Sequence, residues 1–174
     1  GANVGMYTVF IAKNYECKIH AFEPASKYFK ILKKNTLLFN QVFIHNFGIG
    51  NSDQKQSIIL TDEPGSNYIA ETSSEKDQLN SEICKLRSVK NLKLLDPPDL
   101  VKIDVEGYEY EVLINSLEYF EKNKAILILE IDDENLKRYH KNKNDIIKLL
   151  NLNNYSLKQI SNSNNYLCLI SKIK

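Results

Sequence analysis

The hydrophobic positions of this chain repeat with two alternating spacings, which predict an alternation of helices and strands. Helical spacing extends over residues 4–15, 25–39, 108–120 and 143–152. Apolar runs typical of strands lie at residues 18–22, 41–47, 100–105, 125–131, 155–160 and 166–170. This order predicts an α/β protein with a mostly parallel sheet and helices on both of its faces.

Residues 51–98 interrupt the alternation, and Gly48 and Gly50 are expected to break the chain just before them. Strand-like runs at 56–60 and 83–89 flank a turn at 62–66 and a polar stretch at 71–79 that is expected to be mobile. The two prolines of Asp96-Pro97-Pro98-Asp99 end the segment. We therefore expect a single domain over residues 1–174, with a variable insertion at about 51–98.

Composition and charge exclude several classes of partner. The 174 residues are 43% hydrophobic and 26% charged, with a net charge of +1. No basic patch interleaved with aromatic residues is visible, so no nucleic-acid partner is expected. No apolar run reaches the roughly 18 residues that a membrane span needs, so no membrane partner is expected either. The pattern predicts no particular oligomeric state.

The three cysteines, Cys17, Cys84 and Cys168, are far apart and form no CxxC pair. This spacing argues against a disulfide framework and against a zinc site, and it favours a reducing, cytoplasmic setting. The histidines form no nucleophile motif, and His20 and His45 are expected to be satisfied within strands.

The segment Gly1-Ala2-Asn3-Val4-Gly5 directly precedes a predicted helix. Glycine and asparagine tolerate left-handed backbone and let a ligand approach closely. The helix N-terminus beyond them suits a carboxylate or a phosphate. A plain tight turn is the alternative interpretation.

Glu23 follows the strand at 18–22, some twenty residues after the glycine-rich segment. Nucleoside-binding α/β folds place an acid for the ribose hydroxyls at this point. The alternative is a surface glutamate that caps the next helix after Pro24.

Acids gather where the strand at 100–105 ends, in Lys102-Ile103-Asp104-Val105-Glu106-Gly107-Tyr108-Glu109. Asp104 could orient a ligand, act as a general base on a hydroxyl, or cap the following helix. Lys102 should point to the same side of the strand, where it could pair with Asp104 and lower its pKa. Glu106 is the second candidate for the base.

Further acids follow the apolar strand at 125–131, which is expected to be covered on both faces. Glu130 needs a partner or a place facing the cleft, since an unpaired buried carboxylate is costly. Asp132-Asp133-Glu134 is interpreted as a solvated loop. Nothing there supplies fixed ligand geometry, so no metal is predicted.

Three blocks, in their order and spacing, resemble the FkbM-like S-adenosylmethionine-dependent methyltransferases. They are Gly1-Ala2-Asn3-Val4-Gly5-Met6-Tyr7, Phe22-Glu23-Pro24 and the segment from Val101 to Glu109. Leu129-Glu130 also looks like that family's strand-end acid. The resemblance implies a Rossmann-like methyltransferase fold with an antiparallel last strand. It also implies methyl transfer from S-adenosyl-L-methionine to a hydroxyl of a sugar or other small molecule, so the expected partner is a small-molecule or glycan acceptor.

The resemblance also implies roles for single residues. The segment Gly1 to Gly5 would face the methionine moiety of the cofactor, and Glu23, with Pro24, would hold the ribose hydroxyls. Asn46 and Phe47 would border the adenine. Asp104 would lie beside the methyl donor and the acceptor hydroxyl, so Asp104 and Glu106 are the catalytic candidates.

The family has an apolar strand ending in an acid before the glycine that matches Gly1, and the sequence lacks both. We therefore expect the first strand of the fold to be missing by truncation. Two other hypotheses for the function stay open. One is a nicotinamide-dependent Rossmann enzyme, although the first turn lacks GxGxxG. The other is a truncated or degenerate methyltransferase-like domain without activity.

Overall fold

A computed structural model of the chain describes residues 1–63, 65–71, 80–92 and 96–171. The chain forms two compact units that interleave along the sequence. The first unit comprises Gly1–Ile49 and Gln54–Arg87, and the second comprises Gly50–Asp53 and Ser88–Lys174. The single domain with an insertion at about 51–98 stays a prediction.

The first unit begins with the predicted alternation of helix and strand. Its elements are α1 (Met6–Asn14), β1 (Ile19–Phe22), α2 (Ser26–Asn35) and β2 (Val42–His45). β1 and β2 pair in parallel, with Ile19 opposite Val42. α2 buries Tyr28 and Leu32, four residues apart on one face. α1 instead buries the small residues Thr8 and Ala12, so its predicted helix is confirmed but its larger apolar residues are not the buried ones.

A second sheet of the first unit contains β3 (Gly48–Ile49), β4 (Gln54–Ile59), β5 (Tyr68–Ile69) and β6 (Ser81–Arg87), in the order β3-β6-β4-β5. β3 is parallel to β6, whereas β4 is antiparallel to β5 and β6. The expected break at Gly48 is wrong, because Gly48 is the first residue of β3 and pairs with Leu86 of β6. A Cβ at this position would lie 2.8 Å from the Leu86 side chain, so glycine permits the close pairing. Most of the polar stretch predicted at 71–79 lies outside the described residues.

The second unit carries the remaining α-helices and strands of the described residues. They are β7 (Leu100–Ile103), α3 (Glu109–Leu113), α4 (Leu117–Lys122), β8 (Ile126–Glu130), α5 (Asp133–Leu136), α6 (Lys143–Leu152), β9 (Tyr155–Gln159) and β10 (Asn165–Ile170). The sheet order is β7-β8-β10-β9. β7 and β8 are parallel, and β10 is antiparallel to both of its neighbours, as the resemblance implied for the last strand.

The single helix predicted over 108–120 is wrong, since two short helices occupy the range. All four residues predicted to share its apolar face are nevertheless buried: Val112, Leu113, Leu117 and Phe120. At the break, the amide of Ser116 bonds to the carbonyl of Leu113 at 3.0 Å, which is the tighter three-residue spacing. The side chain of Asn115 donates to the carbonyl of Asn51 at 2.9 Å and stabilises the interruption.

The interpretation of Asp132-Asp133-Glu134 as a loop is also wrong. Asp132 is the N-cap of α5, and its Oδ1 accepts hydrogen bonds from the amides of Glu134 (2.8 Å) and Asn135 (3.2 Å). Asp133 and Glu134 then occupy the first turn, where negative charge complements the helix dipole. The acidic run is therefore a helix start.

The mixed α/β class is confirmed. The described strands form three sheets in which parallel and antiparallel pairs both occur, so a single, mostly parallel Rossmann-like sheet stays a prediction. In β8, Leu127 and Leu129 are fully buried while Ile126 is 39% exposed, so this strand is not evenly covered on both faces. Among the described residues, no helix has the length and apolar character needed to cross a membrane.

Candidate functional site

The glycine turn, Gly1–Gly5, adopts the left-handed geometry that its residue types predict. Asn3 has a φ of 50° and Gly5 a φ of 90°. A Cβ on Gly5 would lie 2.6 Å from Cδ1 of Leu32. Gly5 is also the N-cap of α1, and no side chain caps that helix. The turn thus leads into a helix N-terminus whose dipole favours an anionic group.

Glu23 is buried, with 5% of its surface exposed. Its Oε2 accepts a hydrogen bond from the amide of Asn3 at 2.7 Å, and its Oε1 accepts one from the amide of Ala25 at 2.9 Å. Because Ala25 is the N-cap residue of α2, the carboxylate joins the glycine turn to the start of that helix. The capping interpretation therefore holds in part, and the oxygens keep further lone pairs for another donor.

Two other cofactor candidates of the first unit lie close to Glu23 in the fold. The Asn46 side chain donates to the backbone carbonyls of Glu23 (3.0 Å) and Pro24 (3.3 Å). The Phe47 ring packs beside Phe22, with ring centroids 5.5 Å apart. These contacts hold the residues after β2 against the residues after β1.

His20 and His45 are satisfied within strands, as predicted. Nδ1 of His20 and Nε2 of His45 lie 3.0 Å apart, and the rings stack with centroids 5.3 Å apart. Burial, followed by the charges of His20 and Arg87, lowers the pKa of His45. Arg87 also lies over the Phe47 ring, 4.8 Å from its centroid.

In the second unit, Lys102 and Asp104 form the predicted ion pair. Nζ of Lys102 lies 2.5 Å from Oδ2 of Asp104, and the two side chains are 23% and 28% exposed. Burial works to raise the pKa of Asp104, but the hydrogen bond and charge of Lys102 outweigh it and hold that pKa below its ordinary value. Asp104 is therefore ionised near neutral pH.

Glu130 is the second partner of Asp104. In the parallel register of β7 and β8, Ile103 lies opposite Leu129, so the next residues on each strand, Asp104 and Glu130, share a sheet edge. Their side chains hydrogen-bond to each other. Burial, reinforced by Asp104, raises the pKa of Glu130 to about 7. Glu130 thus has a partner, which is one of the two situations predicted for it, and the two carboxyl groups favour opposite protonation states.

Glu106 lies in the acid loop, which we define as Asp104–Tyr108. It has a φ of 56°, which is uncommon for a residue with a side chain. Its Oε2 accepts from the Asn135 side chain at 2.8 Å, and its carbonyl accepts from Arg138 at 3.0 Å. Burial, followed by the charge of Asp104, raises the pKa of Glu106.

Gly107 brings the acid loop against α5. Its φ is 103°, and a Cβ there would lie 2.3 Å from the backbone oxygen of Asn135. Asn135 and Arg138 were not predicted, because nothing in the spacing of polar residues links α5 or the residues that follow it to this loop. The Glu106-Gly107 pair was the available signal for unusual backbone.

Glu109 holds the acid loop from the start of α3. It is 2% exposed, and its Oε1 accepts from the amides of Val105 (3.0 Å) and Gly107 (3.3 Å). Burial raises the pKa of Glu109 to about 7. The helix-capping alternative for Asp104 is wrong, because Tyr108 is the N-cap of α3 and no side chain caps it.

No three His, Cys, Asp or Glu side chains are grouped to hold a metal ion anywhere in the described ranges. Three of the acids described above have other partners: Asp104 pairs with Lys102, Glu130 shares a hydrogen bond with Asp104, and Glu109 accepts from backbone amides. This arrangement can hold and exchange a proton.

Comparison with known proteins assigns the chain to a family. The methyltransferase FkbM domain matches residues 1–157. The chain belongs to the FkbM methyltransferase domain family. The match includes the glycine turn, Glu23 and the whole acid loop, as the resemblance implied.

A solved structure of an FkbM methyltransferase has a similar fold. It comes from Methylobacillus flagellatus KT and superposes with a TM-score of 0.61 at 16% sequence identity. The superposition covers 97% of this chain but 41% of that one, so this chain corresponds to less than half the length of that structure. No curated protein sequence gives a significant match.

Proposed function

We propose that this FkbM domain transfers a methyl group from S-adenosyl-L-methionine to a hydroxyl of a sugar or another small molecule. Membership of the family favours methyl transfer over nicotinamide chemistry. The observation that carries the proposal is the Asp104–Glu130 pair, two hydrogen-bonded carboxyl groups with opposite protonation tendencies beside Lys102. Pairs of this kind separate the acid and base roles in enzymes.

The first unit supplies features that suit the methyl donor. The left-handed glycine turn leads into the uncapped N-terminus of α1, which suits the carboxylate of a methionine moiety. In the proposal Glu23 accepts the ribose hydroxyls with lone pairs that its two amide bonds leave available. Asn46 and Phe47 border the adenine.

The bound cofactor supplies an electrophilic methyl group on a sulfonium. Asp104 would accept a hydrogen bond from the acceptor hydroxyl and would take the hydroxyl proton on its carboxylate during the transfer. Lys102 keeps Asp104 ionised for this role. Alignment of the hydroxyl supplies about 7–11 kcal/mol in favourable cases, and a positioned base adds roughly 10²–10⁴-fold.

Glu106 is the second candidate for the base in this proposal. Burial raises the pKa of Glu106, which makes its carboxylate a stronger base than that of an ordinary glutamate. Its carboxylate already accepts from Asn135 at one oxygen, however, so we assign the primary role to Asp104.

Cofactor binding is the first test. The full chain is titrated calorimetrically with S-adenosylmethionine and, separately, with a nicotinamide dinucleotide. We expect heat and a rise in melting temperature with the first ligand alone. Absence of both signals would overturn the cofactor assignment, and binding of the dinucleotide in its place would support the nicotinamide alternative.

The role of Asp104 is tested with tritiated S-adenosylmethionine and a panel of sugars and hydroxylated small molecules. For any acceptor that is labelled, Asp104→Asn should lower turnover by at least about 10²-fold. Cofactor affinity should fall much less than turnover does. Glu118→Gln, at a side chain that is 79% exposed, serves as the matched control. Full turnover in Asp104→Asn would show that Asp104 is not the base.

A further inference from the structure

Glu109 is the most deeply buried ionisable side chain near the acid loop. One of its oxygens, Oε1, receives both backbone hydrogen bonds, while Oε2 is buried without a hydrogen-bond partner in the described structure. A buried acceptor left unpaired is costly. Helix packing alone therefore does not account for a carboxyl group at this position.

The two amides that Glu109 holds flank the residue with the least favourable backbone. Val105 and Gly107 lie on either side of Glu106, whose φ of 56° is a left-handed conformation. Such conformations cost about 1–3 kcal/mol and persist where the surroundings fix them. One carboxyl oxygen bridging the amides before and after Glu106 provides this constraint.

The bridge also bears on Asp104, which directly precedes Val105. The contact between Lys102 and Asp104 spans 2.5 Å, so a small rotation of the Val105 peptide would displace the Asp104 carboxylate from it. Misplacement of a reacting group by about 1 Å can cost about 10²-fold in rate. The direction of the Asp104 carboxylate thus depends on a side chain five residues further along the chain.

We infer that Glu109 is a positioning residue, whose buried carboxyl bridges the amides of Val105 and Gly107 and so fixes Asp104 and Glu106 for proton transfer. The inference rests on the proposed function for its catalytic consequence. Its structural content concerns the second unit by itself. The structural role of Glu109 and its catalytic consequence can therefore be tested separately.

The test compares Glu109→Ala with Glu109→Gln in the full chain. Both remove the carboxylate charge, but only glutamine keeps an oxygen that can accept from both amides. Glu111→Gln, on the same helix, serves as the control because Glu111 pairs with Asn51 rather than with the loop. The first readout is the pKa of the Asp104 carboxyl, followed by carbon-13 NMR, together with the amide proton shifts of Val105 and Gly107.

We expect Glu109→Gln and Glu111→Gln to keep the Asp104 pKa below its ordinary value, whereas Glu109→Ala raises it towards that value. Where an acceptor has been found, Glu109→Ala should lower kcat at least tenfold with less than a twofold change in KM for S-adenosylmethionine, and Glu109→Gln should restore most of kcat. If the alanine and glutamine variants behave alike, or if glutamine alone moves the two amide shifts to unstructured values, the inference fails. Failure of cofactor binding would leave the NMR result intact and would overturn the proposed function instead.

Discussion

The glycine turn of the first unit and the acid loop of the second are built from the same parts. Each has a left-handed residue with a side chain, Asn3 or Glu106, and a glycine at positive φ close behind it. Each is tied down by a buried glutamate that accepts backbone amides. The same backbone arrangement therefore presents different groups in the two loops. The glycine turn presents a helix N-terminus, and the acid loop presents carboxyl groups.

The two glutamates differ in how fully their oxygens are used. Glu23 accepts one amide with each oxygen and joins two separate segments. Glu109 accepts two amides with one oxygen and leaves the other buried and unpartnered. Glu23 therefore links two segments and keeps only its remaining lone pairs for another donor, whereas Glu109 keeps a whole oxygen that can bind a proton. The difference indicates that proton exchange is concentrated at the acid loop rather than at the glycine turn.

The largest expected effect is the loss of stability when the glycine of each loop, Gly107 or Gly5, is replaced by alanine. Gly107→Ala should destabilise the protein by about 2–6 kcal/mol, because left-handed strain adds to a clash with the backbone oxygen of Asn135. Gly5→Ala should cost about 1–3 kcal/mol, since its new Cβ meets the movable end of the Leu32 side chain. Urea denaturation measures both.

Gly65→Ala is the matched control for this pair. Gly65 has the same φ of 103° as Gly107, but a Cβ there would meet the Asn3 side chain at an ordinary 3.6 Å. Its cost therefore reports backbone strain without a clash. Equal losses of stability for Gly65→Ala and Gly107→Ala would show that the loop is not held against α5 as described.

Much of this comparison could be predicted from the sequence. Periodicity located both loops, because helical spacing begins directly after the glycine turn and the acid loop lies between a strand spacing and a helical spacing. Residue chemistry predicted the left-handed backbone at Asn3, and strand alternation predicted the Lys102–Asp104 pair. These features depend on neighbours within a few positions, and such signals survive in a single sequence.

Contacts between distant segments could not be predicted. The hydrogen bond from Asn135 to Glu106 joins residues 29 positions apart, and no periodicity encodes it. The break between α3 and α4 was missed for the same reason, since a backbone carbonyl at Asn51 stabilises it. Tertiary hydrogen bonds override helical spacing where they satisfy polar groups that the helix would leave unpaired.

A smaller loss of stability, on replacement of each buried glutamate by glutamine, tests how many carboxyl oxygens of Glu23 and Glu109 accept amides. Glu23→Gln should destabilise the protein by about 2 kcal/mol, because an NH₂ group must then face one of the two backbone amides. Glu109→Gln should cost less than about 1 kcal/mol at pH 6, because the remaining oxygen can accept from both amides. Glu16→Gln, at an exposed position, gives the baseline. A larger loss at Glu109 than at Glu23 would reverse the comparison.

The last effect is the pH dependence of stability that Glu109 contributes. Burial raises its folded-state pKa to about 7 from an ordinary value of 4.5. The unfolded chain therefore loses this proton first, and the stabilisation is fully present below about pH 4.5 and is lost as pH rises towards about 7. Between pH 5 and 8, the wild type should lose about 2 kcal/mol relative to Glu109→Gln.

The difference between these two proteins, measured by urea denaturation at each pH, isolates Glu109 from other groups with shifted pKa values. Glu130, with its pKa raised to about 7, contributes in the same direction, and His45, with its pKa lowered, contributes in the opposite one. Both contributions cancel in the difference. Because the charge of Asp104 adds to burial in raising the pKa of Glu109, the same difference measured in an Asp104→Asn background should have its midpoint at lower pH. A midpoint that does not move would mean that Glu109 and Asp104 are electrostatically independent, against the contribution of Asp104 to the raised pKa of Glu109.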